Sequence, residues 1–164
     1  MEFYPWIVVA HVFFVIVAFG AHGVSAFAMF RARSESDRAR LGAVLDLSTV
    51  SLVAAGIGLL TAVVFGIIAA VIGGHFGRLW PWAAIVIVFL VWLAMTPLAA
   101  TPMGGVKKAL GMATRDDKKG DPPRQPGTDA ELAAAQARLR PELVAVVGLV
   151  AIALLVWLME LKPF

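Results

Sequence analysis

The stretch WIVVAHVFFVIVAFGAHGVSAFAM, residues 6–29, contains no charged side chain. A helix rises about 1.5 Å per residue, so about 20 apolar residues cross the hydrocarbon core of a bilayer. Three further uncharged runs share this character, residues 47–72, 79–103 and 143–159, and the last lies at the short end of the spanning range. These four runs predict an all-α fold, a polytopic membrane four-helix bundle that forms one transmembrane domain.

The composition supports a lipid environment. The chain of 164 residues is 60% hydrophobic with a mean hydropathy of +0.86, whereas soluble domains are about 45–50% apolar. The first run is predicted to stay as a membrane helix, because no Lys or Arg precedes it and it exceeds the about 7–15 residues of a signal-peptide core. The chain has no cysteine, so it forms no disulfide and no thiolate metal site.

The positive charges predict an orientation. Twelve of the fourteen Lys and Arg residues lie in two connections, residues 30–46 and 104–142. The positive-inside rule then places both connections in the cytoplasm and both termini outside, in a multi-pass protein of the cell inner (plasma) membrane. The net charge of +3 needs no nucleic-acid partner, because cytoplasmic loops explain it. The aromatic residues fit this topology, since they map to the outer helix ends as an interfacial belt: Tyr4, Trp6, Trp80, Trp82 and Trp157.

Residues 112–140 are predicted to form a cytoplasmic linker with a short helix. The first half mixes charge, proline and glycine, which favours a flexible segment. Thr128 and Glu131 form a capping-box pattern ahead of an alanine-rich stretch, which favours a helix. That helix is either a docking element for a cytoplasmic partner or an amphipathic lead-in to the last span.

Small and helix-breaking residues mark the second and third spans. The second span carries Gly56, Gly58 and Gly66 together with several hydroxyl side chains. Such residues favour close helix packing, and the alternative is the lining of a pore or ligand cavity. In the third span Pro97 predicts a kink, and Pro102 is expected to mark the inner end of the helix.

Three histidines are the candidate binding residues. His11 and His22 lie eleven residues apart, on one face of the predicted helix, with Ala18, Ser25 and Met29. We expect this face to point into the bundle. A separation of about 16 Å prevents the two imidazoles from sharing one metal ion. Each is either a packing residue, satisfied by a serine or a backbone carbonyl, or a functional ligand. His75, in the outer loop, is a candidate to approach His11 as a haem or metal ligand.

The opening FYPWIVVAHVFFVIVAFGAHG and the Trp-led third span, residues 78–111, resemble bacterial membrane proteins related to the HemJ-type protoporphyrinogen oxidases and the CopD-type copper-resistance proteins. The resemblance implies a four-helix membrane protein with His11 as a b-haem ligand after Trp6. It does not imply the oxidase activity, because HemJ-type proteins carry a third-helix lysine where this chain has Ala83, Ala84 and Ile85. His22 matches no ligand of that family.

Three functions remain open at this stage. The first is a small membrane protein that acts by helix packing, against itself or other membrane subunits, with the glycine-rich second span as its interface. The second is a b-haem-binding membrane oxidoreductase that acts on a porphyrin or quinone, with His11, His22 and His75 as candidate ligands. A transporter is the third, and the absence of a carboxylate in the middle of any span counts against it.

Overall fold

The computed structural model describes residues 2–164, and within them every regular element is helical. Four stretches are long and apolar enough to cross a membrane, which confirms the predicted all-α, multi-pass fold. They are Tyr4–Ser34, Arg38–Ile72, Trp80–Ala109 and Asp129–Leu161. The elements are α1 (Tyr4–Ser34), α2 (Arg38–Ile72), α3 (Trp80–Met95), a π-helical segment (Thr96–Ala100), α4 (Thr101–Ala109), α5 (Asp129–Gln136) and α6 (Pro141–Leu161).

The four long stretches run antiparallel in chain order, so both chain termini lie at one end of the bundle. We call this the terminal end, and we call the opposite end, which carries the two Arg- and Lys-rich connections, the basic end. Tyr4 at the start of α1 contacts His75 in the loop after α2, and Lys162 after α6 lies over the Trp80 ring at the start of α3. All four long stretches therefore meet at the terminal end.

The helices extend beyond the apolar runs of the sequence. α1 continues to Ser34 and α2 begins at Arg38, so only residues 35–37 connect them. Asp37 caps α2, because its side chain accepts the backbone N–H of Arg40 at 2.8 Å. The hydrogen bonds of a helix join backbone groups and do not require apolar side chains. The helices therefore continue past the apolar runs and end among charged residues.

α1 and α2 form the closest helix pair. A Cβ atom added to Gly58 would lie 3.1 Å from the backbone nitrogen of Ala18, so the two backbones nearly touch there. Towards the basic end, the Ser25 and Ser48 hydroxyls form a buried hydrogen bond of 2.7 Å. Small residues permit this approach, and Gly58 thereby confirms the close-packing interpretation of the second span.

The second half of the chain forms another antiparallel pair. Trp80 and Ala84 of α3 pack with Leu158 of α6 in a buried cluster at the terminal end. α6 also contacts α1, and at the basic end the Arg33 guanidinium donates to both carboxylate oxygens of Glu142 at 2.8 and 2.9 Å. α6 therefore joins the two pairs.

The third long stretch does not end at Pro102, so that prediction is wrong. A π-helical segment, Thr96–Ala100, contains Pro97, and the backbone N–H of Thr101 donates to the Thr96 carbonyl in the wider π pattern. Each proline lacks an amide hydrogen and crowds the preceding turn. A π turn relaxes this crowding. The chain then continues as α4 through Pro102 to Ala109.

A second buried cluster closes the basic end. It draws side chains from α1, α2, α4, α5 and the start of α6: Met29, Ala32, Leu41, Leu45, Met103, Val106, Leu132, Leu139 and Val144. α5 begins with the predicted capping box at Thr128 and Glu131. Its Leu132 enters this cluster, so α5 docks on the chain's own helices.

The segment ahead of α5, which its composition predicts to be a flexible linker, makes hydrogen bonds to α2 and α4. The backbone N–H of Gly127 donates to the Ala109 carbonyl, and Arg38 donates to the Gly127 carbonyl, so the segment folds back over α4. Asp117 accepts the Thr114 backbone N–H at 2.7 Å and pairs with Arg124. The Thr114 hydrogen bond, with help from Arg124, holds the pKa of Asp117 below its usual value. Aspartates that cap local turns therefore organise a segment without an apolar core.

Gln136 ties α5 to the end of α1. Its Nε2 donates to the backbone carbonyls of Ala32 and Glu35, both at 2.8 Å. The last carbonyls of a helix lack partners within the helix, so this side chain satisfies two of them. We expect Gln136→Met to lower the free energy of unfolding by about 1–2 kcal/mol, because the two carbonyls lose their donor. Denaturation in detergent, followed by circular dichroism, measures the change. Ala133→Ser on the exposed side of α5 is the control, and an equal loss in both variants would contradict this role.

Candidate functional site: three histidines in the bundle

The predicted polar stripe of α1 faces the bundle interior. Ala18, Ser25 and Met29 are buried, as the sequence pattern predicts. On the opposite side of α1, Phe13 and Val24 are exposed. His11 and His22 are partly buried and lie on the same stripe. The helical period therefore places both imidazoles towards neighbouring helices.

His11 contacts the backbone of α2. Its Nδ1 lies 2.7 Å from the carbonyl oxygen of Ala62. A Cβ atom on Gly66 would lie 2.9 Å from both Nδ1 and Cε1 of the imidazole, so the glycine makes room for the ring. A carbonyl oxygen only accepts, and Nδ1 must therefore carry the hydrogen. In the neutral imidazole Nε2 then keeps its lone pair, as in a histidine that binds a metal through Nε2.

His22 faces α6 instead. A Cβ atom on Gly148 would lie 3.6 Å from Nε2, so the imidazole packs over a glycine at ordinary contact distance. Ser25, one turn further along α1, is engaged by Ser48. Among residues 2–164 no hydrogen bond to His22 is present. One of the two alternatives for His22 is a packing residue satisfied by a serine or a backbone carbonyl, and neither hydrogen bond is present in the described residues.

His75 lies in a short 3₁₀ turn, His75–Gly77, at the terminal end. Its Nε2 is 3.3 Å from the Tyr4 hydroxyl, and its ring centroid is 5.5 Å from that of Trp80. Lys162 lies above the same indole, 5.9 Å from the ring centroid. Trp80 is buried, and its Nε1 has no acceptor within the described chain. The loop histidine thus joins the ends of α1 and α3.

The three histidines have separate neighbours and lie at three levels. Tyr4, which contacts His75, is seven residues from His11, about 10 Å along α1. In residues 2–164, no group of three or more His, Cys, Asp or Glu side chains is arranged to hold a metal ion. Open cavities of about 330 and 400 Å³ lie at the basic end, and neither is lined by a histidine. The assignment of His11, His22 and His75 to a cofactor stays a prediction.

The fold and the placement of these side chains define a small helical membrane protein with four candidate spans. No match is found among protein-family models, curated proteins or solved structures.

Sequence reasoning missed the partners of the histidines. His11 binds the backbone carbonyl of Ala62, and every residue type has such a carbonyl, so the sequence does not mark this partner. Gly148, which contacts His22, has no side chain that could mark the contact. Gly66 is the one residue whose type could have indicated the contact between His11 and α2, because the imidazole fits only where the facing residue has no Cβ atom.

We expect two matched substitutions to separate the roles of the span histidines. His11→Leu should lower the free energy of unfolding by about 1 kcal/mol, because the Nδ1 hydrogen bond to Ala62 is lost. His22→Leu should cause no loss, because the imidazole has no partner in the described chain and leucine suits an apolar span. Unfolding in mixed micelles measures both. Equal effects of the two substitutions would contradict the assignment of the hydrogen bond to His11 alone.

Proposed function

We propose that the protein is a multi-pass protein of the plasma membrane, with both termini outside, that acts by lateral association with itself or another membrane subunit. The main support is the outer face of α2, which we define by Val53, Gly56 and Leu60. All three residues are exposed, and nothing in the chain lies within 4 Å of a Cβ built on Gly56. An exposed glycine on a membrane helix allows a neighbouring helix to approach closely.

The position of α2 in the bundle supports the same proposal. α2 packs along its length against α1 and reaches α4 only at the basic end. Gly58 serves the contact with α1, and Gly56, rotated by about 200° around the helix, points the other way. The polar side chains inside the bundle support it too. His11 and Ser25 form hydrogen bonds from α1 to α2, so both contribute to helix packing.

The test is the size of the complex in a mild detergent. We expect a species larger than one chain of 17.4 kDa. Gly56→Leu should reduce it to the single chain, because the side chain blocks the close approach. Gly20→Leu, on the exposed face of α1 with open space around it, is the matched control and should leave the complex intact. A wild-type protein that is a single chain, both in detergent and after cross-linking in membranes, would contradict the proposal.

A second candidate function, a b-haem-binding membrane oxidoreductase acting on a porphyrin or quinone, is supported by the tautomer of His11. The free lone pair of Nε2 suits an axial ligand to iron. These residues fit a haem held by one histidine better than a haem held by two. His22 lies about 16 Å from His11 along the helix, and His75 contacts Tyr4. A bound haem would supply electron transfer, and His11 would hold the iron.

The visible spectrum of the purified protein tests this second candidate. A Soret band that His11→Ala abolishes and His22→Ala retains would support it. A colourless protein from haem-replete cells would contradict it, and it would leave the lateral-association proposal unaffected.

A further inference from the structure

The carboxylates of the basic end are almost fully engaged. Five accept from a Lys or Arg side chain, in the pairs Arg31–Glu35, Arg33–Glu142, Arg38–Asp129, Lys108–Asp116 and Arg124–Asp117. Three more accept a backbone N–H in a cap or turn, namely Asp37, Asp121 and Glu131. Asp46 is the one acidic residue at this end with neither kind of partner in the described chain. Few negative charges are therefore left to offset further cations.

The cations of the same end outnumber these acids. Twelve Lys and Arg against nine Asp and Glu give the basic end a charge of +3, and two of each sign at the terminal end cancel. Among residues 2–164, seven of the twelve have no carboxylate within ion-pair distance: Arg40, Lys107, Arg115, Lys118, Lys119, Arg138 and Arg140. Of these, Lys107 donates to the Thr49 hydroxyl instead. The entire net charge of the protein therefore resides at the basic end.

Three of the seven unpaired cations flank buried leucines of the basic-end cluster. Arg40 precedes the buried Leu41, and Arg138 and Arg140 flank the buried Leu139. Leu41 and Leu139 belong to the same buried cluster, so all three arginines lie at the edge of the cluster that closes the basic end. All three are exposed, and we call them the arginine rim. The carboxylate nearest in sequence to Arg140 is Glu142, and Arg33 already binds it.

We propose that the arginine rim binds the phosphate groups of anionic phospholipids in the leaflet around the basic end. Guanidinium groups bind phosphate oxygens in pairs of hydrogen bonds, and cations next to a span attract anionic lipids. Exposed apolar side chains follow within two turns along the same helices, Leu143 and Val146 after Arg140 on α6 and Leu47 after Arg40 on α2. A lipid beside one of these arginines can therefore contact it with its headgroup and the apolar side chains of the same helix with its acyl chains. This selects a lipid over free phosphate.

The test measures lipid binding to the full-length protein in a neutral detergent. Phosphatidylglycerol and phosphatidylcholine with identical acyl chains are titrated, and bound lipid is counted by native mass spectrometry. We expect phosphatidylglycerol to bind more tightly than phosphatidylcholine. The triple variant Arg40→Gln, Arg138→Gln, Arg140→Gln should weaken phosphatidylglycerol binding by at least about tenfold. The same three positions changed to Lys should keep more of the binding.

A matched triple variant controls for net charge. Arg115→Gln, Lys118→Gln and Lys119→Gln remove the same charge from the loop ahead of α5, and we expect at most a twofold change. Circular dichroism verifies that both triple variants keep their helices. Equal weakening by the two triples would overturn the proposal, because net charge alone would then explain binding. Displacement of the lipid by millimolar inorganic phosphate would also overturn it, because the rim would then be a site for the free anion.

Discussion

Gly58→Leu should lower the free energy of unfolding by about 3 kcal/mol, which is among the largest effects expected of a single substitution in this chain. Even the first added atom, Cβ, would lie 3.1 Å from the Ala18 nitrogen and 3.2 Å from its Cα, and backbone atoms do not move aside as a flexible side chain does. The added side chain must therefore separate α1 from α2. This separation also loosens the Ser25 to Ser48 hydrogen bond further along the interface.

Unfolding by increasing amounts of SDS in mixed micelles, followed by circular dichroism, measures this loss. Gly20→Leu is the matched control, because no atom lies within 4 Å of its Cβ position and the residue is exposed. We expect Gly20→Leu to stay within about 0.5 kcal/mol of the wild type. If the two variants were equally stable, the close contact between α1 and α2 would be wrong.

Leu139→Ala should lower the free energy of unfolding by about 3 kcal/mol, because the side chain loses its contacts and leaves an internal cavity. Leu139 is fully buried at the junction of α5 and α6, in the cluster that joins five helices at the basic end. This cluster lies next to the charged connections, so its burial from water contributes to stability as it does in a soluble protein. The substitution therefore tests whether α5 is an integral part of the bundle.

Leu149→Ala on the exposed face of α6 is the control for Leu139→Ala. Its side chain contacts lipid or detergent in the folded and unfolded states alike, and we expect a change below about 1 kcal/mol. The same SDS titration compares the two. A Leu139→Ala variant as stable as Leu149→Ala would indicate that α5 and the basic-end cluster do not close the bundle.

The features that depend on hydropathy and helical period could be predicted from the sequence. The four spans follow from uncharged runs long enough to cross a bilayer, and the structure has four helices that match them. The inward stripe of α1 follows from the 3.6-residue period, and its members Ala18, Ser25 and Met29 are buried. The capping box at Thr128 and Glu131 is a local signal that needs no tertiary context.

The features that depend on helix register and on backbone acceptors could not be predicted. Ser25 is within reach of His22 along α1, yet the register of α2 brings Ser48 to it instead. His11 binds a backbone carbonyl, and Pro102 continues a helix because a π turn precedes it. The sequence around residues 112–128 lacks an apolar core, so composition could not indicate that hydrogen bonds fold it over α4.

The proposed topology is a four-span membrane protein with both basic connections on the cytoplasmic side. The chain has no cysteine, so single cysteines introduced at Ser36, Gly77 and Lys119 can be reacted with a membrane-impermeant maleimide in intact cells. We predict labelling of Gly77→Cys without permeabilisation, and labelling of Ser36→Cys and Lys119→Cys only after it. Reaction of Ser36→Cys in intact cells, or Ser36→Cys and Lys119→Cys on opposite sides of the membrane, would contradict the orientation or the number of spans.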